Sequence, residues 1–194
     1  GFFTGLASGA TVVISQHYGA KQEDGVQKAL HTAYAFSVVG GIIISIMGIL
    51  ITRPLLKLMN TPDNIIDLSA TYLCIYFAGL VFVFIYNVGA GILRAVGDSR
   101  RPLYFLILCC FINIVLDIIL IVFLKMGVAG AAIATTFSQG ISAVMVTVTL
   151  CRTTDIFRLR VKKIRFHAQP MGMIVKIGLP AGLQSVMYSL SNVI

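Results

Sequence analysis

The residues with the clearest potential for chemistry are an asparagine and an aspartate inside a long apolar run. The run extends from Leu103 to Leu124, reads LYFLILCCFINIVLDIILIVFL, and contains Asn113 and Asp117. Side chains four residues apart lie on one face of a helix, so these two would be neighbours. Hard cations bind to carboxylate and amide oxygens, and a carboxylate also binds a proton. The pair is therefore a candidate cation site.

The apolar run itself is long enough to cross a bilayer. Its 22 residues would extend about 33 Å as a helix, against a hydrocarbon core of about 30 Å. A charge well inside a membrane helix costs about 2.5 kcal/mol or more, so such residues usually face a bundle interior or a wet cavity. We therefore expect Asp117 to have a functional role rather than a packing role.

The composition of the whole chain agrees with a membrane protein. Hydrophobic residues make up 58% and charged residues 11% of the 194 residues, whereas soluble domains have about 25% charged residues. The sequence predicts an all-α integral membrane protein, a polytopic helical bundle without a secretory signal peptide. Because apolar sequence is already present at Gly1 and continues to Ile194, we expect a fragment of a longer chain. The apolar segments are about 1–16, 31–51, 70–93, 103–124, 126–150 and 172–194.

A second polar stripe is predicted on the helix that follows Asp117. Only residues 125–127 separate the two apolar segments, so the helices must be antiparallel neighbours. The stripe follows the spacing i, i+3, i+4, i+7 and consists of Thr135, Ser138, Gln139 and Ser142. Counting from the turn places Asp117 level with Thr135. The stripe either lines a cavity with Asn113 and Asp117, or its hydroxyls satisfy their own backbone within a close helix seam.

Glycine and proline suggest where helices approach closely or bend. Gly1, Gly5 and Gly9 have the four-residue spacing that allows close packing of membrane helices. The last segment begins with the weak helix formers Gly178, Pro180 and Gly182. These three predict a helix bend, and simple helix-entry geometry is the alternative.

Basic residues are distributed unequally between alternate loops, and this predicts the orientation of the chain. One set of loops holds eleven Lys and Arg residues, the other holds three. The positive-inside rule makes the richer set cytoplasmic. We interpret the basic stretch from Arg152 to Arg165 in the same way, as a topology signal and not as a nucleic-acid site. The histidines His17, His31 and His167 lie on the same side or at helix ends, where a solvated role is expected.

Motifs for enzymatic chemistry are absent from the sequence. There is no Walker lysine motif, no G-x-S-x-G and no H-E-x-x-H, and the four cysteines lack C-x-x-C spacing. We therefore predict that the protein is not an enzyme and has no cofactor.

Five stretches together resemble the multidrug and toxic compound extrusion family of transporters. They are ISQHYGAK at 14–21, ILRAVGDSRRPLYF at 92–105, NIVLDIILI at 113–121, GVAGAAIATTFSQ at 127–139 and KIGLPAGLQS at 176–185. The resemblance implies helices two to seven of a twelve-helix protein with two six-helix lobes. It divides the chain into five helices of the amino-terminal lobe at 1–151, a cytoplasmic inter-lobe loop at 152–170, and the first helix of the carboxy-terminal lobe at 171–194.

The resemblance also implies a function. Family members exchange amphipathic or cationic compounds for H⁺ or Na⁺ by alternating access. Asn113, Asp117 and Thr135 match their amino-lobe cation site, which implies that these three residues bind H⁺ or the metal ion Na⁺. Ser138, Gln139, Ser142 and Gln184 are the expected cavity-lining residues. The first helix, which supplies a further acidic residue in many members, is missing here. We expect a multi-pass protein of the cytoplasmic membrane that contacts lipid, binds small amphipathic substrates and is monomeric at full length.

Two alternatives stay open at this level. A flippase for lipid-linked precursors would need a larger cationic cavity with Arg or Lys inside the helices, and we find none within the apolar spans. A non-transporting membrane subunit or channel component would move no solute in either direction.

Overall fold

The computed structural model describes residues 2–161 and 164–191, and within them every regular element is helical. The prediction of an all-α membrane bundle is thereby confirmed. Gly1, Lys162 and Lys163, which entered the glycine and charge patterns above, lie outside the described residues. The helices are α1 (Phe2–Gly19), α2 (Glu23–Leu58), α3 (Asp63–Ala95), α4 (Arg100–Asp117), a π-helical continuation of α4 (Ile118–Phe123), α5 (Gly127–Arg152) and α6 (Ala168–Ser191).

Four of these helices are long and apolar enough to cross a membrane. They are α2, α3, α5, and α4 together with its π-helical continuation. The helices α2 and α3 have 36 and 33 residues and extend well beyond the apolar segments predicted for them. The predicted spans at the two ends of the chain are helical as α1 and α6, and their crossing of the membrane stays a prediction.

Short connections with one shared turn geometry explain why consecutive helices run in opposite directions. At the end of α3, Gly97 has a positive φ of 89°. The amide of Gly97 donates to the carbonyl of Arg94, and the amide of Asp98 donates to the carbonyl of Leu93. This pair of bonds is the Schellman motif. The same pattern ends α1 at Lys21 and α2 at Asn60, both with positive φ.

The helix α3 lies at the centre of the bundle and packs against α1, α2 and α5, while α5 also packs against α4. Glycines allow these close approaches, because a Cβ on Gly41 or Gly89 would collide with Val81 of α3 or Val146 of α5. The buried core at one end of this arrangement includes Leu30, Ile92, Leu93, Val146 and Leu150. Most of α4 remains exposed, with only Pro102 and Cys109 buried.

The loops alternate between two ends of the bundle, as the sequence predicts. At one end Tyr18, next to the α1–α2 turn, has its ring 6.3 Å from the ring of Phe157 in the α5–α6 connection. At the other end Arg53 bonds to Asp67 across the α2–α3 turn, with 3.1 Å between Nη2 and Oδ1. The start of α5 is at this second end, since Val128 shares an apolar groove with Leu56 and Ile65.

Which end is cytoplasmic follows from the charge rule and can be tested by labelling. We expect a Met59→Cys variant of the full-length chain, with its native cysteines replaced, to react with an impermeant thiol reagent added outside intact cells. An Asp155→Cys variant should react only after permeabilisation, because the basic loops stay inside. Both positions are exposed, so accessibility to the reagent depends on the side of the membrane. The opposite labelling pattern would reverse the orientation.

Candidate functional site

The two residues of the predicted cation site lie where α4 changes its winding. Asp117 is the last α-helical residue of α4, and the next six residues, Ile118–Phe123, form a π-helix. A π-helix bonds each carbonyl to the amide five residues later, and such stretches within α-helices are frequent at functional sites. No Gly or Pro occurs between Leu103 and Leu124, so the sequence contains no signal for this change. The π-helix is the main feature of the site that sequence reasoning missed.

Polar atoms of both residues are buried without a partner. The Nδ2 atom of Asn113 and the Oδ1 atom of Asp117 have no hydrogen-bond partner among the described residues. Leaving a buried polar group unsatisfied costs about 1–3 kcal/mol, and more for a charged group. A proton or a monovalent cation on the carboxylate would remove the part of that cost that belongs to Asp117. The Asp117 carboxylate therefore fits a site that binds and releases a small cation.

The serines of the α5 stripe are hydrogen-bonded to their own helix. Ser138 Oγ donates to the carbonyl of Ala134 at 2.5 Å, and Ser142 Oγ donates to the carbonyl of Gln139 at 2.9 Å. Both serines are buried, whereas Thr135 and Gln139 are half-buried. These bonds are what the packing alternative expects of the two serines. A cavity lined by all four residues stays a prediction.

Two contacts define the register between α4 and α5. Cys109 Sγ donates to the carbonyl of Ser138 at 3.1 Å, and Leu120 lies against Gly130. The depth of Thr135 relative to Asp117, which the sequence-based estimate makes equal, stays a prediction.

A cation at this site would meet one carboxylate and neutral oxygens. The described residues contain no group of three or more His, Cys, Asp or Glu side chains that could hold a metal ion. A single negative charge beside an amide and a hydroxyl suits a monovalent ion or a proton better than a tightly held divalent metal. Na⁺ binding by Asn113, Asp117 and Thr135 stays a prediction.

The glycines of α6 make a close seam with α1. A Cβ on Gly5 would collide with the backbone of Gly182, and a Cβ on Gly9 would lie 2.7 Å from the amide nitrogen of Gly178. The close approach predicted for Gly5 and Gly9 is therefore observed, and its partner is α6. The main packing partners of α6 are α1 and α2, and Gln184 is exposed on α6, so the structure does not place Gln184 with the polar stripe of α5.

Lys176 corrects one statement made from the sequence. It lies within the α6 helix Ala168–Ser191 and is exposed, so the last apolar segment does contain an internal Lys. No Lys or Arg occurs between Pro102 and Phe123, the part of α4 and its π-helical continuation that follows Arg101. The neighbourhood of Asp117 along its own helix therefore has no basic side chain.

Pro180 lies inside α6, which remains one continuous helix. We expect Pro180→Ala in the full-length protein to lower the transport rate and to leave expression unchanged, because the proline removes a backbone donor where a membrane helix can bend. The measurement is initial transport rate per mole of purified protein in vesicles. Unchanged turnover would leave only helix-entry geometry for the three predicted bend residues Gly178, Pro180 and Gly182.

The fold and the half-buried carboxylate of Asp117 define a polytopic helical membrane protein with a candidate cation site. A family model described as MatE matches residues 1–119 of this chain, and the chain therefore belongs to the MatE family. The resemblance to multidrug and toxic compound extrusion transporters is thereby confirmed.

Individual relatives agree with the family. The chain is 32% identical over 199 residues to the probable multidrug resistance protein YoeA of Bacillus subtilis strain 168, covering 99% of this chain and 43% of that protein. A solved inward-facing structure of a multidrug resistance MATE transporter is similar with a TM-score of 0.87 and 28% identity, over 94% of this chain and 42% of that one. A solved outward-facing structure of a multidrug resistance MATE transporter is similar with a TM-score of 0.89 and 27% identity, over 97% of this chain and 42% of that one. The chain thus spans less than half the length of these relatives.

Proposed function

We propose that the full-length protein is a secondary active efflux transporter that exchanges amphipathic or cationic compounds for H⁺ or Na⁺. The observation that carries the proposal is the buried, unpartnered Asp117 Oδ1 beside Asn113, at the start of a π-helix within a membrane span. The family relation supports it, since YoeA is named a probable multidrug resistance protein. The protein is proposed to act without covalent chemistry, as a multi-pass monomer of the cytoplasmic membrane.

Asp117 is the coupling group in this proposal. The carboxylate binds either a proton, which removes its charge, or Na⁺ with Asn113 and Thr135 as neutral oxygen donors. The cation and the substrate then alternate in the cavity beside α4 and α5, so that release of one allows binding of the other.

Alternating access is supported by the similarity to two conformations. The same chain resembles inward-facing and outward-facing relatives with TM-scores of 0.87 and 0.89. Relatives of this fold thus adopt both states, and alternating access in transporters proceeds largely by rigid-body movement of one unit of the chain against another. We propose that α1 to α5 move as one lobe and that residues 152–170 connect it to the second.

The test is transport by the purified full-length protein in sealed vesicles. A fluorescent organic cation is loaded, and a gradient of H⁺ or of Na⁺ is imposed separately. Efflux that depends on one of these gradients supports the proposal, and collapse of that gradient by an ionophore should stop it. Absence of transport under both gradients would favour a non-transporting subunit, and transfer of lipid-linked precursors instead of the organic cation would favour a flippase.

A further inference from the structure

A polar groove lies at the end of the bundle that carries the basic loops. It has a volume of about 810 Å³ and lies between the first turns of α2 and the described parts of the connection between α5 and α6, residues 153–161 and 164–167. The charge rule accounts for basic residues at this end, but it does not require three arginines to line one groove. The charged lining residues are Glu23, Asp24, Lys28, Asp155, Arg158, Arg160 and Arg165.

Side chains of α2 hold the backbone at two of these arginines. Gln27 Nε2 donates to the carbonyl of Arg158 at 3.3 Å, and the amide of Arg160 donates to Nε2 of His31 at 3.1 Å. His31 is 3% exposed, so the contact with Arg160 is made inside the protein. The backbone of this part of the groove is therefore fixed, and the arginine side chains extend from a built wall.

The arginines lie at the level where α2 becomes apolar. Arg160 meets α2 at His31, and Arg165 meets it at Thr32, whose Oγ1 lies 3.5 Å from the carbonyl oxygen of Arg165. These two α2 residues begin the apolar segment 31–51. The end of an apolar span lies at the depth of the lipid head groups in a bilayer. The arginine side of the groove is therefore placed at head-group level.

The guanidinium groups of the three arginines are available to a ligand. Arg158 Nε donates to the carbonyl of Cys151 at 3.1 Å, which leaves the two terminal nitrogens of that guanidinium. Within the described ranges, no ion pair includes Arg158, Arg160 or Arg165, and all three residues are exposed. A guanidinium binds a phosphate through two parallel N–H bonds. The groove thus offers donors that suit a phosphate group.

The charge balance of the groove narrows the class of ligand. Asp24 pairs with Lys28 at 2.6 Å, so the charges that remain are three arginines and the two carboxylates Glu23 and Asp155. One positive charge is in excess, beside acceptors for hydroxyl groups. A phosphodiester with one negative charge and a hydroxylated head group, as in phosphatidylglycerol, matches this arrangement.

We propose that the groove binds the phosphate of an anionic phospholipid, with Arg158, Arg160 and Arg165 as its donors. A water-soluble phosphate ester has the same chemistry, but the level of Arg160 and Arg165 favours the lipid, whose acyl chains stay in the bilayer. Basic pockets beside membrane helices bind anionic head groups in this way. The inference goes beyond the proposed transport activity and needs neither a transported compound nor an ion gradient for its test.

The test measures the lipid preference of the purified full-length protein in phosphatidylcholine vesicles. A fluorophore is attached at Gln169→Cys after replacement of the native cysteines, because Gln169 is exposed and lines an adjoining groove that shares Glu23, Asp24 and Lys28. Phosphatidylglycerol with a spin label near its head group is added, and quenching is recorded. We expect half-maximal quenching at a mole fraction about tenfold lower than with phosphatidylcholine that carries the same label.

Paired variants distinguish the groove from general surface charge. Arg160→Gln combined with Arg165→Gln should abolish the preference and keep the fold, because the contacts of both residues with α2 are made by the backbone. Arg100→Gln combined with Arg152→Gln is the matched control. It removes two exposed charges on the same predicted side but outside the groove, and it should keep the preference.

The source of the phosphate is decided by competition. Unlabelled phosphatidylglycerol should displace the spin-labelled lipid, whereas glycerol phosphate added to the water at millimolar concentration should not. Displacement by glycerol phosphate would make the groove a site for soluble phosphate esters and overturn the lipid assignment. Equal quenching by the two labelled lipids in the parent overturns the proposal, and so does loss of the preference in the control variant.

Discussion

Asp117→Asn in the full-length protein is expected to abolish efflux driven by an ion gradient, down to the level of vesicles without protein. Asparagine has nearly the same size as aspartate and keeps polar atoms at the same place. It has no charge to release or accept a cation, so the coupling step fails. Insertion and folding should be at least as good as in the parent, because the variant removes a charge from a membrane helix.

The measurement is efflux under an imposed H⁺ or Na⁺ gradient, compared with equilibrium binding of the same compound. We expect binding to persist while gradient-driven efflux is lost. Asp63→Asn makes the same chemical change at an exposed position in the first turn of α3 and should transport normally. Full gradient-driven activity in Asp117→Asn would remove Asp117 from the mechanism.

Thr135→Ala should have a smaller effect. One hydroxyl among several oxygen donors contributes about 1 kcal/mol, which corresponds to about fivefold in cation affinity. The substitution removes one neutral oxygen donor and leaves the carboxylate of Asp117. A Thr135→Ala variant as inactive as Asp117→Asn would mean that the hydroxyl is as essential as the charge.

The sequence predicted the features that depend on local pattern. Asn113 and Asp117 are four residues apart on one helix, and the short 125–127 connection forces α4 and α5 together, so both the pair and its partner helix could be inferred. The same holds for the alternate loops and for Gly5 and Gly9. Each of these depends only on helical periodicity, span length and charge distribution.

Features that depend on distant contacts could not be predicted in this way. The π-helix at Ile118–Phe123 consists of apolar residues that would suit an α-helix equally well, so only packing can select it. His31, which the sequence places in a solvated position, is 3% exposed because the connection between α5 and α6, about 130 residues later in the chain, lies over it. The partner of the glycine stripe on α1 is α6, and no periodicity within α1 indicates which helix that is.

The seam between α1 and α6 should be the part of the fold most sensitive to added volume. A Cβ on Gly9 would lie 2.6 Å from the carbonyl oxygen of Ile174 and 2.7 Å from the amide nitrogen of Gly178. Both neighbours are backbone atoms, which give way only if one helix moves. Inserting atoms into a packed interface costs about 1–3 kcal/mol, occasionally more. We therefore expect Gly9→Leu to separate α1 from α6 and Gly9→Ala to have an intermediate effect.

The experiment compares thermal unfolding of the purified full-length variants, together with a spin-label distance between the exposed positions Gln16 on α1 and Gln169 on α6. Gly19→Ala is the matched control, since nothing lies within 4 Å of a Cβ at the end of the same helix. Its melting temperature should equal that of the parent or be slightly higher, because alanine favours a helix over glycine by about 1 kcal/mol. Because α1 belongs to the predicted amino-terminal lobe and α6 to the second, a widened seam should also lower the transport rate. Gly9→Leu with the melting temperature and distance of the parent would show that α1 and α6 are not held together by this contact.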